Sequence, residues 1–246
     1  AAGQGILAGI NAGRYVQGKP PLILRRDESY IGVMVDDLVT KGVVEPYRLR
    51  PGKVEYRLFI RHDNAHYRLS RYAYEVGTIP RERYVRIAEE EKMVAQEIER
   101  LSQVTIHPTP ELNALLERKG MPPLKEAVKA SSLLARPHIT YEDLAPFDPG
   151  RPSLPPHVKE EVEIEIKYRG YIERQRRQVE EFRKLEMKSI PKDFDFSQVK
   201  GLSREAQERL TEIRPENLGQ ASRVPGVTPA DIMVLLAYLS RDKKDQ

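Results

Sequence analysis

Apolar positions recur at helical spacing in several stretches of this chain. Between 80 and 104, Tyr84, Ile87, Val94, Ile98 and Leu101 form one stripe, while Glu89, Glu90, Glu91 and Lys92 lie mostly off it. That pattern predicts an amphipathic helix, with Pro80 suited to its first position. Residues 158–188 predict one long charged helix, supported by Glu173/Arg177 and Glu180/Lys184 at i,i+4 and ended by Ile190-Pro191. Tyr30, Val33, Met34, Asp37 and Leu38 predict a third helix over 29–41, and Gly42 fits its end. Near the C-terminus, Ser203 is placed to cap a helix. Thr228-Pro229-Ala230-Asp231 reads as a helix start, with a hydroxyl cap, proline in the first turn and a carboxylate against the dipole. Ile232, Leu235, Leu236 and Leu239 supply the buried face of that last helix, and the RDKKDQ tail is expected to fray.

Other stretches are less regular. Gly3, Gly5 and Gly9 are expected in a turn that runs into a short helix from Ile6 to about Tyr15, stopped by Gly18 and Pro20-Pro21. The run VEYRLFIRHDNAHYRLS fits a helix or a strand, because it is both periodic and rich in aromatic residues. Residues 107–156 hold ten of the 19 prolines, so only short helices, such as Leu124 to Leu134, fit between turns there. The fold expected is mainly α, with a helical middle region, a C-terminal helical bundle, and few, short strands.

Composition narrows the chemistry. Among 246 residues, 39% are apolar and 32% charged, which favours extended helices with wide solvated faces over one thick core. Lys plus Arg (41) barely exceeds Asp plus Glu (37), so a nucleic-acid partner has to be argued from local clusters. With no cysteine, disulfides, thiolate zinc sites and thiol catalysis are excluded within the chain. No apolar run reaches membrane-spanning length and no signal peptide is visible, which reads as a cytoplasmic protein with no membrane partner. The first residue, Ala1, and a glycine turn without its partner strands lead to the expectation of a C-terminal piece of a larger protein.

Three constellations could carry function. Gly3-Gln4-Gly5-Ile6-Leu7-Ala8-Gly9 has GxGxxxG spacing without a preceding strand, so a Rossmann fingerprint is weak. Tight helix packing and a helix N-terminus facing an anionic ligand both remain open. From Tyr47 to Arg71, Arg48, Arg50, Lys53, Arg57, Arg61, Arg68 and Arg71 interleave with Tyr47, Tyr56, Tyr67 and Tyr72. Arginine grips phosphate bidentately and tyrosine stacks on unpaired bases, although a solvated face over core tyrosines fits the same pattern. His62, Asp63 and His66 have ligand-like spacing, but no metal site is expected. Asp36-Asp37 reads as a solvated pair, or, since Asp37 falls on the apolar stripe, as the holder of a buried arginine. The third constellation is the charged helix with the terminal bundle, whose apolar residues exceed what three short helices hide.

The stretches AAGQGILAGINAG, SYIGVMVDDLVTKGVVEPYR, EYRLFIRHDNAHYRL, YRGYIERQ, IPKDFDF, GLSREAQERL and RPENLGQASRVPGVTPADI resemble, in order, the MnmG family, also called GidA. These are FAD-dependent enzymes of tRNA wobble-uridine modification, and the resemblance covers essentially the whole chain. One departure is LRPGKVEYR, where the family usually reads MFTSRAEYR.

The resemblance implies a division into the end of an FAD-binding domain (1–24), a helical middle region with a tRNA-contacting segment (25–156) and a C-terminal helical domain that docks the GTPase MnmE (157–246). It implies FAD contacts at Gln4 and Gly5 supported by Ala8 and Asn11, and tRNA contacts at Arg48, Lys53, Arg57 and Arg61. It also implies an MnmE surface including Leu202, Leu210, Val227 and Leu236. In the full-length system FAD, NADH and a folate one-carbon donor serve addition of a carboxymethylaminomethyl group to carbon 5 of the wobble uridine, by a homodimer. No catalytic residue is expected in this chain, because the family's catalytic cysteines lie outside it; alone it is expected to be inactive and to bind FAD weakly or not at all. The competing readings are a helical protein–protein adaptor and the related folate-dependent tRNA methyltransferase flavoprotein.

Overall fold

The computed structural model describes residues 1–41, 45–48 and 50–241. Gly42, Leu49 of the departing loop and the tail from 242 onward lie outside the described residues. In chain order the elements are α1 (Ala2–Val16), α2 (Tyr30–Thr40), α3 (Ala65–Glu75), α4 (Arg81–Gln103), β1 (Thr105–Ile106), α5 (Pro110–Arg118), β2 (Val128–Lys129) and α6 (Ala130–Leu134). They continue with α7 (Pro156–Lys167), α8 (Arg169–Glu186), α9 (Arg204–Ile213), α10 (Leu218–Ala221) and α11 (Pro229–Arg241). The fold is mainly helical, as expected, and β1 and β2 form a two-residue antiparallel ladder.

The chain divides into two compact units, one from the described residues of Ala1–Ile60 and Arg174–Gln246, the other Arg61–Glu173. In the second unit, α4 packs against α3, α6 and α7. Its core gathers Val94 and Leu101 of α4, Leu112 and Leu116 of α5, Leu133 and Leu134 of α6, and Val158, Val162 and Ile166 of α7. Glu97 is buried on the α4 stripe at 2% exposure, satisfied by Arg100 (2.7 Å) and the Tyr141 hydroxyl (2.7 Å).

The first unit has two apolar clusters. The larger joins Ile190, Phe196, Val199, Leu202, Ala206, Leu210, Leu218, Ile232 and Leu235. Its two expected helix starts are linked through one carboxylate. Ser203 caps α9 by accepting from the Ala206 amide. Asp231 accepts from the Ser203 amide (2.9 Å), the Thr228 amide (2.9 Å) and the Thr228 hydroxyl (2.6 Å), so the beginnings of α9 and α11 share one acceptor. Burial alone would raise the Asp231 carboxyl, but these donors outweigh it and hold it below the ordinary range. The smaller cluster is Val33, Val54 and Ile60. There the chain before α2 crosses so closely that a Cβ on Gly32 would sit 2.1 Å from the Arg25 carbonyl oxygen, so only glycine fits.

Four local expectations are corrected. Gly3, Gly5 and Gly9 lie inside α1, not in a turn before it. The run from 54 to 64 is neither helix nor strand; Phe59 and Ile60 amides turn back to the Tyr56 carbonyl, and a helix starts only at Ala65. Leu124 to Leu134 is not one helix: 124–127 are irregular, Val128–Lys129 form β2, and only Ala130–Leu134 is helical. The single helix expected over 158–188 is interrupted at Tyr168, whose backbone (φ −102°, ψ 9°) leaves the helical range. Gly170, a poor helix former, lies two residues on and weakens propagation at that point. The pairs Glu173/Arg177 and Glu180/Lys184 do not close as ion pairs within 4 Å.

Candidate nucleic-acid interface

The basic stretch is best built from what holds its backbone. Arg26, before α2, is 2% exposed and reaches four acceptors: the Val33 carbonyl (3.2 Å), Asp36 (3.1 Å), Asp37 (2.7 Å) and Glu55 (2.6 Å). Asp37 therefore does hold a buried arginine, and it also accepts from Lys41 (2.9 Å) and the Tyr47 hydroxyl (2.7 Å). Burial pushes the Asp37 carboxyl up, but the donors on Lys41, Tyr47 and Arg26 win and hold it below its ordinary value. The Tyr47 phenol is raised by burial and by the adjacent Asp37 carboxylate, so it stays a donor. A neutral tyrosine anchored at its hydroxyl presents a fixed ring, and the Lys53 ammonium stands 4.4 Å from that ring's centroid.

Gln175 of α8 pins the next segment. Its side-chain oxygen accepts from the Leu58 (3.0 Å) and Phe59 (3.1 Å) amides, and its amide donates to the Glu55 carbonyl (3.3 Å). Tyr56 is buried, 6.2 Å from the Phe182 ring, and its phenol is pushed up to about 12, first by burial and then by Glu55. With Tyr56 inward and the 58–59 amides clamped, Arg57 is left exposed. Arg48, Arg50 and Lys53 are exposed too, and none of the four forms an ion pair among the described residues.

Arg61 differs. Its side chain is 11% exposed and reaches Asp63 (2.8 Å), Glu161 (2.5 Å) and Glu165 (3.1 Å). Arg68 donates to Asn64 (2.8 Å) and to the Arg61 carbonyl (2.8 Å), fixing the turn before α3. Arg71 is paired on the surface with Glu75 at 2.7 Å. Glu161 is raised by burial and by the neighbouring Asp63, against the pull of Arg61. His62 lies before α3 and is fully exposed, so His62 and His66 do not share a helix face.

In α1, Gln4, Gly5 and Ala8 are exposed, whereas Asn11 is spent inside the fold. Its side chain accepts from the Leu22 amide (2.6 Å) and donates to the Leu22 carbonyl (3.0 Å), clamping the segment that returns along the helix. In the terminal bundle, Leu202 and Leu210 are buried core residues, and Val227 and Leu236 are half-buried against the same cluster. The apolar side chains that are open there are Met187 and Met233. Pattern reading had not singled out Arg26, Gln175 or Glu161; an acid on the apolar stripe of α2 was the one signal that a buried cation existed.

Comparison with known proteins defines the class. Residues 81–176 match the model described as the tRNA modifying enzyme MnmG/GidA C-terminal helical domain. Residues 178–246 match the one described as the C-terminal helical bundle of the same enzyme. The chain belongs to the MnmG/GidA family and carries its C-terminal helical domains. A relative from Caldicellulosiruptor saccharolyticus, the tRNA uridine 5-carboxymethylaminomethyl modification enzyme MnmG, is 53% identical over 244 residues, covering 99% of this chain. The protein of the same name from Enterococcus faecalis is 47% identical over 244 residues, again 99% of this chain. The chain spans 39% of the length of these relatives. The crystal structure of Aquifex aeolicus GidA in form II superposes with a TM-score of 0.82 at 42% identity, covering 97% of this chain and 37% of that one. Among the described residues no helix is long and apolar enough to cross a membrane.

Proposed function

We propose that this chain is the recognition portion of a flavin-dependent tRNA wobble-uridine modification enzyme. In this reading residues 1–24 complete an FAD-binding domain, 25–156 contact tRNA, and 157–246 dock the GTPase partner MnmE. The parent enzyme, a homodimer, adds a carboxymethylaminomethyl group to the uridine with NADH and a folate one-carbon donor.

The observation that carries the tRNA reading is the set of exposed cations Arg48, Lys53 and Arg57, none ion-paired among the described residues, beside a Tyr47 hydroxyl held by Asp37 and 58–59 amides held by Gln175. A guanidinium with no carboxylate partner is available to phosphate, and a fixed backbone reduces the ordering cost on binding. Arg61 is spent on three carboxylates, so it acts in this reading as a support for the segment and not as a contact.

FAD fits one face of α1. At Gly5, Gly9 and Gly13 an added Cβ would meet nothing within 4 Å, leaving bare backbone that a flat ring system can approach, with Gln4 and Ala8 beside it. The flavin, when bound, supplies the redox chemistry. This chain supplies the glycine-lined face, and Asn11 holds that face in place through Leu22.

Titration of the chain with tRNA transcripts at rising salt tests the proposal. Affinity that falls steeply with salt is expected; affinity that stays flat would leave the protein-only adaptor reading standing. A pull-down with MnmE tests the docking role, and no capture by the intact chain would remove it.

A further inference from the structure

The terminal bundle contains a cavity of about 310 Å³ lined by Ile190, Pro191, Lys192, Phe196, Arg214, Pro215 and Glu216. Its floor is apolar, because Ile190, Phe196 and Pro215 are buried side chains of the bundle. Two cations and one carboxylate, Glu216, stand at its rim, so the cations outnumber the acid two to one. Lys192 and Arg214 are both exposed, and neither forms an ion pair among the described residues. Arg214 makes only a long contact, 3.5 Å, to the Lys192 carbonyl.

The backbone at Arg214 is unusual. It closes α9 in the left-handed region (φ 49°, ψ 61°), and among the described residues it is the one non-glycine residue with positive φ. Glycine is the common residue at such a helix end, because a Cβ there is strained. An arginine in this position keeps a strained backbone while presenting a guanidinium beside an apolar cavity. Backbone strain of this kind concentrates where a side chain is put to use.

We propose that this cavity receives a peptide segment of a protein partner that presents an apolar side chain next to a carboxylate. The apolar floor takes the side chain, and Arg214 with Lys192 takes the acid. Both halves of the lining argue for peptide over RNA. Phosphate would use the cations alone, would leave the apolar cavity empty and would meet the Glu216 carboxylate with a larger negative charge than a single carboxylate carries. The proposal rests on the reading that the terminal bundle docks a protein partner, and it names the spot and the chemistry.

The test uses NMR titration of the full chain with a blocked peptide in which one leucine is flanked by two aspartates, and with its asparagine twin. The variant is Arg214→Gly with Lys192→Gln. Glycine relieves the left-handed strain, so the variant keeps its fold and its unfolding midpoint is unchanged or raised. Shifts confined to amides of 190–196 and 214–216 are expected. Affinity should be at least tenfold weaker for the asparagine twin and for the variant. Absent shifts there, equal binding of the twin, or an unaltered variant would overturn the proposal. An anticodon stem-loop RNA whose binding drops in the variant while the peptide's does not would reassign the cations to RNA and overturn it too. MnmE capture that the variant leaves undiminished removes this cavity as the docking point while the docking reading survives; no capture by the wild-type chain removes the docking reading itself.

Discussion

Arg57 and Arg61 are four residues apart, sit among the same tyrosines and look equivalent in sequence, yet they have opposite fates. Arg57 is exposed on a clamped segment and forms no ion pair among the described residues, whereas Arg61 is enclosed by Asp63, Glu161 and Glu165. Arg26 is the extreme case, a cation so enclosed that its removal would strand Asp37 in the interior. What separates a recognition arginine from a structural one is the number of acceptors the fold brings to it. Basic density along the chain does not report that number.

The comparison predicts a graded series in stability. Arg26→Ala should have the largest effect, about 3–5 kcal/mol lost, because it leaves buried carboxylates uncompensated. Chemical denaturation measures this, and a loss below about 1 kcal/mol would show that Lys41 and Tyr47 alone satisfy Asp37. Arg61→Ala should cost less, about 2–3 kcal/mol, the scale of hydrogen bonds to charged groups. If it instead left stability untouched and cut tRNA affinity, Arg61 would belong with Arg57.

Glu161→Gln should produce a smaller effect that depends on pH. Burial and the neighbouring Asp63 raise the Glu161 carboxyl in the folded chain. The stability it contributes is therefore present below the ordinary carboxyl range and is lost as pH rises above it. A glutamine cannot ionise, so the variant should lose less stability than the wild type between pH 5 and 8. Parallel stability–pH curves for the two would contradict the assignment.

Much of this arrangement was legible beforehand. The caps at Ser203 and Thr228, the stripe of α4 and the inward face of α11 follow from local spacing, and the fold confirms them because capping and amphipathicity act over one or two turns. Asp37 was readable as the holder of a buried arginine, since an acid on an apolar stripe needs a cation. Which arginine was not readable, because Arg26 sits 11 residues away in an irregular segment. The locking of Arg61 was invisible for the same reason: Glu161 lies 100 residues along the chain. The irregular run from 54 to 64 defeats pattern reading because Val54, Tyr56 and Ile60 are all buried, at spacings that fit neither the helical nor the strand period throughout. Its Leu58 and Phe59 amides reach the side chain of Gln175, the Ile60 amide turns back to the Tyr56 carbonyl and the Arg61 amide meets the Asn64 side chain, so no ladder or helix forms. Leu202 and Leu210 show the converse limit, since an apolar residue in a small bundle is core or surface according to packing that periodicity alone does not specify.

The smallest stability effect belongs to Arg48→Ala combined with Arg57→Ala, which should leave the unfolding midpoint where it is, because both side chains are exposed and neither forms an ion pair among the described residues. The same pair tests the account most directly through binding. Log affinity for tRNA, measured against log salt for the wild-type chain and for this double variant, should show weaker binding for the variant. Its slope should be shallower by about 1.5, as expected when two phosphate contacts at roughly 0.7–0.9 each are removed. Equal affinities and equal slopes for the two chains would contradict the claim that the exposed arginines, and not the enclosed one, meet the nucleic acid.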